Sequence, residues 1–223
     1  MTDPQRDRPR MTKGERTRQR ILDAAAELFS RSGYRAVSLR DIASHAGLTH
    51  AGVLHHFPNK EATLLDVLGR RDAIDAPKVL DPDLSSRERI GNVVSIVERN
   101  AGTPGLVSLY VNLSAEATDP AHPAHTYFTR RYELLRDHLT AAFTDLLDDG
   151  DEPSPELAAQ QFLALQDGLQ IQWLLNPDAV DMRAAVTSYL RGIGIELTDA
   201  PHPSSRAPGS ETPARGPEPA PPH

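Results

Sequence analysis

Residues 37–65 read VSLRDIASHAGLTHAGVLHHFPNKEATLL. Ser38 and Asp41 make a Ser-x-x-Asp start of the capping-box kind. Leu39, Ile42, Ala43 and Ala46 follow at i, i+3, i+4 and i+7, so a short helix there carries one apolar face. Gly47 stands where a residue free to adopt positive φ ends that helix. Thr49 is placed as the next N-cap, flanked by Leu48 and Val53 at staple positions. The second helix, about residues 50–56, buries Val53 with Phe57 and turns His50, Ala51, Gly52, Leu54 and His55 outward. Small residues near its N-terminus let the backbone approach base edges in a major groove. Pro58 breaks the chain, and Asn59 caps a further helix with Lys60 in its first turn, beside free N–H groups suited to a phosphate. Two short helices joined by a tight turn predict a helix-turn-helix DNA reader.

The pattern extends upstream. A helix from about Arg16 to Ser32 sets Ile21, Ala24, Ala25, Leu28 and Phe29 on one face, and Gly33 to Ser38 links it to the reader. Over residues 21–65, ILDAAAELFSRSGYRAVSLRDIASHAGLTHAGVLHHFPNKEATLL resembles the N-terminal domain of the TetR family of bacterial repressors. The resemblance implies a base-reading position at Arg40, groove-facing positions at Thr49, His50 and Gly52, and backbone contacts at His55, His56 and Lys60. With Ser38 at the helix start and the outward Ala51, these form the expected DNA-contact set. The bland readings are a solvated Arg40, a His56 packed beneath the motif and a plain surface Lys60. One departure is Leu54, where many members carry Tyr and a hydroxyl for a phosphate.

The chain has 223 residues, 39% hydrophobic, enough for one small and one medium domain. It has no Cys, which excludes disulfides and thiolate metal sites and is consistent with a cytoplasmic protein. No stretch approaches the ~18 consecutive apolar residues of a membrane span. Arg6, Arg8, Arg10 and Lys13 precede no apolar core, so the first residues do not read as a secretory signal. The net charge of −7 divides unevenly: residues 1–60 hold 11 basic and 6 acidic side chains, the remainder 13 and 25. A basic head on an acidic body would orient the head toward DNA.

Residues 1–13 read as a basic arm, either touching the minor groove or phosphates or simply disordered. After Lys60 the period stays helical. A fourth helix runs to about Ile74, ahead of Ala76-Pro77, and others span Ser86–Asn100 and the region of Tyr110 and Leu113. A long helix from about His125 to Leu147 is striped by Phe128, Tyr132, Leu135, Leu139, Ala142, Phe143 and Leu146. The helix of residues 154–175 has two apolar faces, Ala158, Phe162, Leu165, Leu169 and Trp173 on one, Leu157, Ala164, Gly168, Ile171 and Leu175 on the other. A helix apolar on both sides must be covered on both. With the last helix, about residues 181–197, it suggests pairing of two chains into a four-helix interface, which the TetR resemblance also implies. DGLQIQWLLNPDAVDMRAAVTSYL, residues 167–190, resembles the C-terminal domain of the choline-responsive repressor group. Residues 198–223 hold 8 Pro among 26 and read as a disordered tail.

The expected protein is all-α with about nine helices. A helix-turn-helix domain over residues 14–60 precedes a helical regulatory and dimerisation domain over 61–197. Tyr110, Phe128, Tyr132, Asp167, Gln170 and Trp173 are candidates for lining a small-molecule pocket, the alternative for the aromatics being plain core. His55 and His56 point about 100° apart on a helix and make poor joint metal ligands. His122 and His125 near Asp119 are a weak metal candidate, with a solvated loop as the plain reading. No metal, cofactor or catalytic triad is assigned. These readings converge on a homodimeric repressor that binds a palindromic double-stranded operator and is released by a small-molecule effector of unknown identity. The alternatives are a helical ligand-binding or scaffold protein with a vestigial reader, and a metal hydrolase using His122 and His125.

Overall fold

The computed structural model describes residues 11–148, 150 and 152–197. The described residues form nine α-helices and one 3-10 turn, with no strand. They are α1 (Lys13–Ala36), α2 (Leu39–His45), α3 (His50–Leu54), α4 (Lys60–Val79), α5 (Ser86–Asn100), α6 (Pro104–Glu116), α7 (His125–Thr144), α8 (Pro155–Leu175) and α9 (Met182–Gly192), with the 3-10 turn Pro177–Ala179 before α9. The all-α expectation holds. Residues 1–10 of the expected basic arm and residues 198–223 of the expected tail lie outside the described residues. Within the arm, Thr12 already caps α1 through a capping box with Glu15.

Local signals explain most boundaries. Ser38 and Asp41 form the expected reciprocal box at α2, and the hydrogen bond from Ser38 holds the Asp41 carboxyl below the usual carboxylate range. Gly47 takes φ 63°, and the Leu48 N–H reaches back to the Ala43 carbonyl at 2.8 Å, closing α2 in the left-handed manner that favours glycine. The Thr49 Oγ1 accepts the Gly52 N–H at 3.0 Å.

α1, expected over about Arg16 to Ser32, spans Lys13–Ala36 with a kink at Gly33. Four later boundaries also differ from expectation. α3 ends at Leu54, because the N–H groups of His56 and Phe57 both turn onto the Val53 carbonyl at 2.9 Å. α4 continues past Ile74 and through Pro77 to Val79. Proline there deletes one hydrogen bond near the helix end, while Val79 is buried and the Leu80 N–H still reaches the Ala76 carbonyl. α7 stops at Thr144. α9 stops at Gly192, since Gly194 adopts φ 81° and the Ile195 N–H bonds the Leu190 carbonyl at 2.9 Å, leaving Leu197 beyond the helix.

Two cores hold the molecule. The first gathers Ile21, Ala25 and Phe29 of α1, Ile42 of α2, Val53 and Phe57 around α3, and Leu64 and Leu68 of α4. Leu109 and Leu113 of α6 complete it, so the division read at residue 60 does not coincide with a break in packing. The second joins α5, α7, α8 and α9 through residues such as Ile90, Phe143, Phe162 and Val186. α4 therefore belongs to the reader at its start and to the body at its end.

Candidate DNA-reading face and effector cavity

The turn between α2 and α3 presents a small, open face. Arg40 on α2 and His50 at the start of α3 are exposed, and neither has a polar partner among the described residues. Ala51 and His55 are also exposed, while Gly52 and His56 are half-buried. The His55 and His56 rings meet edge to face at 5.3 Å. The hydroxyls of Ser38 and Thr49 are engaged as caps, so they order the helix starts that carry Arg40 and His50. A Cβ on Gly52 would stand 3.3 Å from the Thr49 Oγ1, a close approach to the capping hydroxyl.

Lys60 is placed differently from its sequence reading. Its Nζ donates to the carbonyls of Tyr34 and Val37, each at 2.8 Å, and lies 4.1 Å from the centre of the Tyr34 ring. Burial holds its pKa below the usual lysine value. The ammonium thus braces the link between α1 and α2 instead of facing outward to a phosphate. Lys60→Met is expected to lower stability by about 1–2 kcal/mol, from two carbonyls left unpaired at a partly exposed site. It is also expected to leave the salt dependence of DNA binding unchanged, whereas loss of a phosphate contact reduces the salt slope by about 1. Denaturant unfolding together with a salt titration of duplex binding checks both.

Between α4, α5, α6, α7 and α8 lies a cavity of about 1010 Å³. Tyr110, Phe128, Tyr132, Asp167 and Gln170, all expected there, line it. Trp173 does not. It is 7% exposed and sits in the second core, because it shares the buried face of α8 with Ala158, Phe162 and Leu169. The face of α8 carrying Leu163, Gln166, Asp167 and Gln170 turns to the cavity.

The sequence reading missed the polar groups that fasten α4 to the cavity wall. Asp72 of α4 pairs with Arg131 and accepts the Tyr127 hydroxyl, both from α7. The Tyr110 hydroxyl donates to the Leu68 carbonyl of α4 at 2.9 Å and lies 3.2 Å from the Tyr127 hydroxyl. Burial first, then the Asp72 charge, raises the Tyr110 pKa, so this phenol stays a neutral donor. On its other side α4 is tied to α1 by Arg18–Asp66 and by Arg70–Asp23 at 2.6 Å.

His122 and His125 diverge. The His122 Nδ1 accepts the Ala124 N–H at 3.2 Å, which leaves the ring proton on Nε2, 3.4 Å from Glu116. The His125 Nδ1 bonds the Ala117 carbonyl at 2.8 Å. Among the described residues no group of three His, Cys, Asp or Glu is arranged to hold a metal, and no helix is long and apolar enough to cross a membrane.

The fold and its two sites define a helix-turn-helix DNA-binding protein with a ligand cavity in its helical body. Residues 21–67 match the model of bacterial regulatory proteins of the tetR family, and residues 93–194 match that of the BetI-type transcriptional repressor C-terminal domain. The transcriptional repressor KstR2 of Rhodococcus jostii is 34% identical over 221 residues, covering 91% of this chain and 100% of that protein. A choline-bound transcriptional regulator from Saccharomonospora viridis superposes with a TM-score of 0.59 at 27% identity, covering 79% of this chain and 96% of the other. SmeT of Stenotrophomonas maltophilia, in its triclosan complex, shares the fold with a TM-score of 0.70 at 19% identity, covering 87% and 100%. The chain belongs to the TetR family of bacterial regulatory proteins, and it is a ligand-responsive, DNA-binding transcriptional regulator.

Proposed function

We propose that the protein is a repressor that binds a palindromic operator as a homodimer and is released by a small molecule in the cavity described above. The observation that carries this reading is the double membership of α4. It begins at the reader's corner at Lys60, and further along it lines the cavity, where Asp72 is held by Arg131 and Tyr127. A ligand that displaces these contacts shifts α4 and with it the reader, by no more than its differential affinity for the two conformers. The S. viridis relative, whose structure contains choline, supports a small-molecule effector for this architecture. The ligand of this chain need not be the same, since the walls of a cavity and not the fold select the occupant.

In the reader, Arg40 and His50 contact base edges, while Ala51 and Gly52 let the α3 backbone approach the groove. Ser38 and Thr49 hold the helix starts, and His55 and His56 lie toward the DNA backbone. Arg40→Ala and His50→Ala are each expected to weaken specific binding by about 1–3 kcal/mol and to relax preference at one base position. Competition binding against single-base operator variants checks this. Uniform weakening across all variants would contradict the assignment.

Dimerisation is proposed through α8 and α9, the helices expected at about 154–175 and 181–197. Leu157, Ile171 and Leu175 stand exposed on α8, Leu175 at 82%. These three belong to the second apolar face, which the described residues leave exposed, with Ile171 also bordering the cavity rim. A two-fold pair of readers would meet half-sites ~34–36 Å apart. Leu175→Glu enters such an interface twice. It is expected to shift the protein from dimer to monomer in sedimentation at micromolar concentration while leaving its helicity unchanged.

A further inference from the structure

We propose that the cavity selects a hydrophobic amine, whose ammonium group pairs with Asp167. The inference rests on the cavity being the effector site and adds the chemistry of the effector.

Three aspartates line the cavity, Asp72, Asp75 and Asp167. Asp72 is answered by Arg131 and Tyr127. Asp75 is answered by Arg71 at 3.1 Å and by Arg99. Asp167 differs from both. It accepts one hydrogen bond, from the Tyr132 hydroxyl at 2.7 Å, and forms no ion pair among the described residues. The field of Arg131 reaches it, but that guanidinium is committed to Asp72. Burial accordingly raises the carboxyl pKa of Asp167 despite the Tyr132 hydrogen bond.

A half-buried carboxylate with one neutral donor is unfavourable unless a cation completes it. A carboxyl shifted by burial on a cavity wall, without a cation of its own, is a candidate binding group. Next to it, Gln166 also borders the cavity, its side-chain nitrogen buried without a hydrogen-bond partner among the described residues. Leu106, Leu135 and Leu163 line the cavity with the rings of Tyr110, Phe128 and Tyr132. A volume of about 1010 Å³ exceeds what an ammonium group fills, so the body of the ligand is apolar. Glu61 and Arg130 also border the cavity, but both are exposed, where water screens their charge. The charge preference therefore falls to Asp167.

The test uses three probes of one chain length, below their micelle-forming concentrations: decylammonium, decanoate and decan-1-ol. Their affinities for the full-length protein and for Asp167→Asn are measured by calorimetry at neutral pH. Asparagine keeps an acceptor for the Tyr132 hydroxyl and removes the charge. The wild-type protein is expected to bind decylammonium roughly tenfold or more tightly than either other probe, the strength of a charge-assisted hydrogen bond. Asp167→Asn is expected to bring the three affinities together, which also separates the site from general attraction of cations to an acidic body. Equal affinities in the wild type, a preference for decanoate, or a preference that survives Asp167→Asn overturns the proposal. If the variant fails to fold, the wild-type comparison is repeated at about 0.5 M salt, which screens the acidic surface far more than a half-buried pair: an amine preference that persists supports the proposal, and one that vanishes overturns it. Duplex release is scored separately. Selective amine binding without release would leave this inference standing and sink the effector reading, whereas release by decanoate or decan-1-ol alone would do the reverse.

Discussion

Phe57→Ala is expected to abolish sequence-specific DNA binding and to lower the unfolding free energy by about 3–5 kcal/mol, the usual range for a large buried aromatic. Phe57 is 1% exposed and lies in the core shared by α1, α2, α3 and α4, with the Arg18 guanidinium 4.9 Å from its ring centre. α3 has five residues, too few for an isolated helix to be stable in water. Its position depends on Val53 and Phe57 being clamped from below. Domains are stable by about 5–15 kcal/mol, so a loss of this size is a large fraction of the total. Denaturant unfolding followed by circular dichroism gives the free energy, and duplex retention gives the function. Removing the exposed Leu54 instead, by Leu54→Ala, is expected to leave stability nearly unchanged, because that side chain is 42% exposed.

The second large effect is expected at Gly33. Its backbone adopts φ 75° and ψ 164° at the kink near the end of α1, a region open almost only to glycine. A Cβ there would also meet the Glu116 Oε1 of α6 at 2.7 Å. The carboxylate is the end of a flexible chain and can swing away, so the backbone conformation dominates. Gly33→Ala is expected to cost about 1–3 kcal/mol. It also strikes the joint between reader and body, where the Tyr34 ring packs edge-on against His122 at 5.1 Å. The variant is therefore expected to lose more operator affinity than its stability change explains. Combining Gly33→Ala with Glu116→Ala separates the two components: the second change relieves the contact and leaves the backbone strain.

Legibility in the sequence followed distance along the chain. The α2–turn–α3 unit was readable because each of its signals acts within a few residues: the Ser38 box, the Thr49 cap, and Gly47 at positive φ. The two faces of α8 were readable for the same reason, by helical period, and the structure buries one of them while leaving Leu157, Ile171 and Leu175 exposed. The early end of α9 was also written locally, in Gly194, but a continuing apolar stripe outweighed it.

Other features required contacts between distant segments. The direction of Lys60 depends on a link 23 to 26 residues upstream folding back to offer two carbonyls. The Asp72–Arg131 and Asp72–Tyr127 contacts bridge 59 and 55 residues. Charged residues on an amphipathic helix read as solvent-facing, so nothing in the local pattern marks Asp72 or Arg131 as cavity groups. Trp173 erred in the opposite direction: aromatic character placed it at the cavity, and the face it occupies on α8 places it in the core.

The central claim is that this chain reads a two-fold operator through α3 under control of the cavity. Selection of bound sequences from a random duplex library tests it most directly, using protein unfolded and refolded to remove any small molecule carried through purification. The account predicts a palindromic consensus with half-sites about one helical turn apart, lost in Arg40→Ala at one symmetric pair of positions. Retention that follows salt alone, with no sequence enriched, would contradict it.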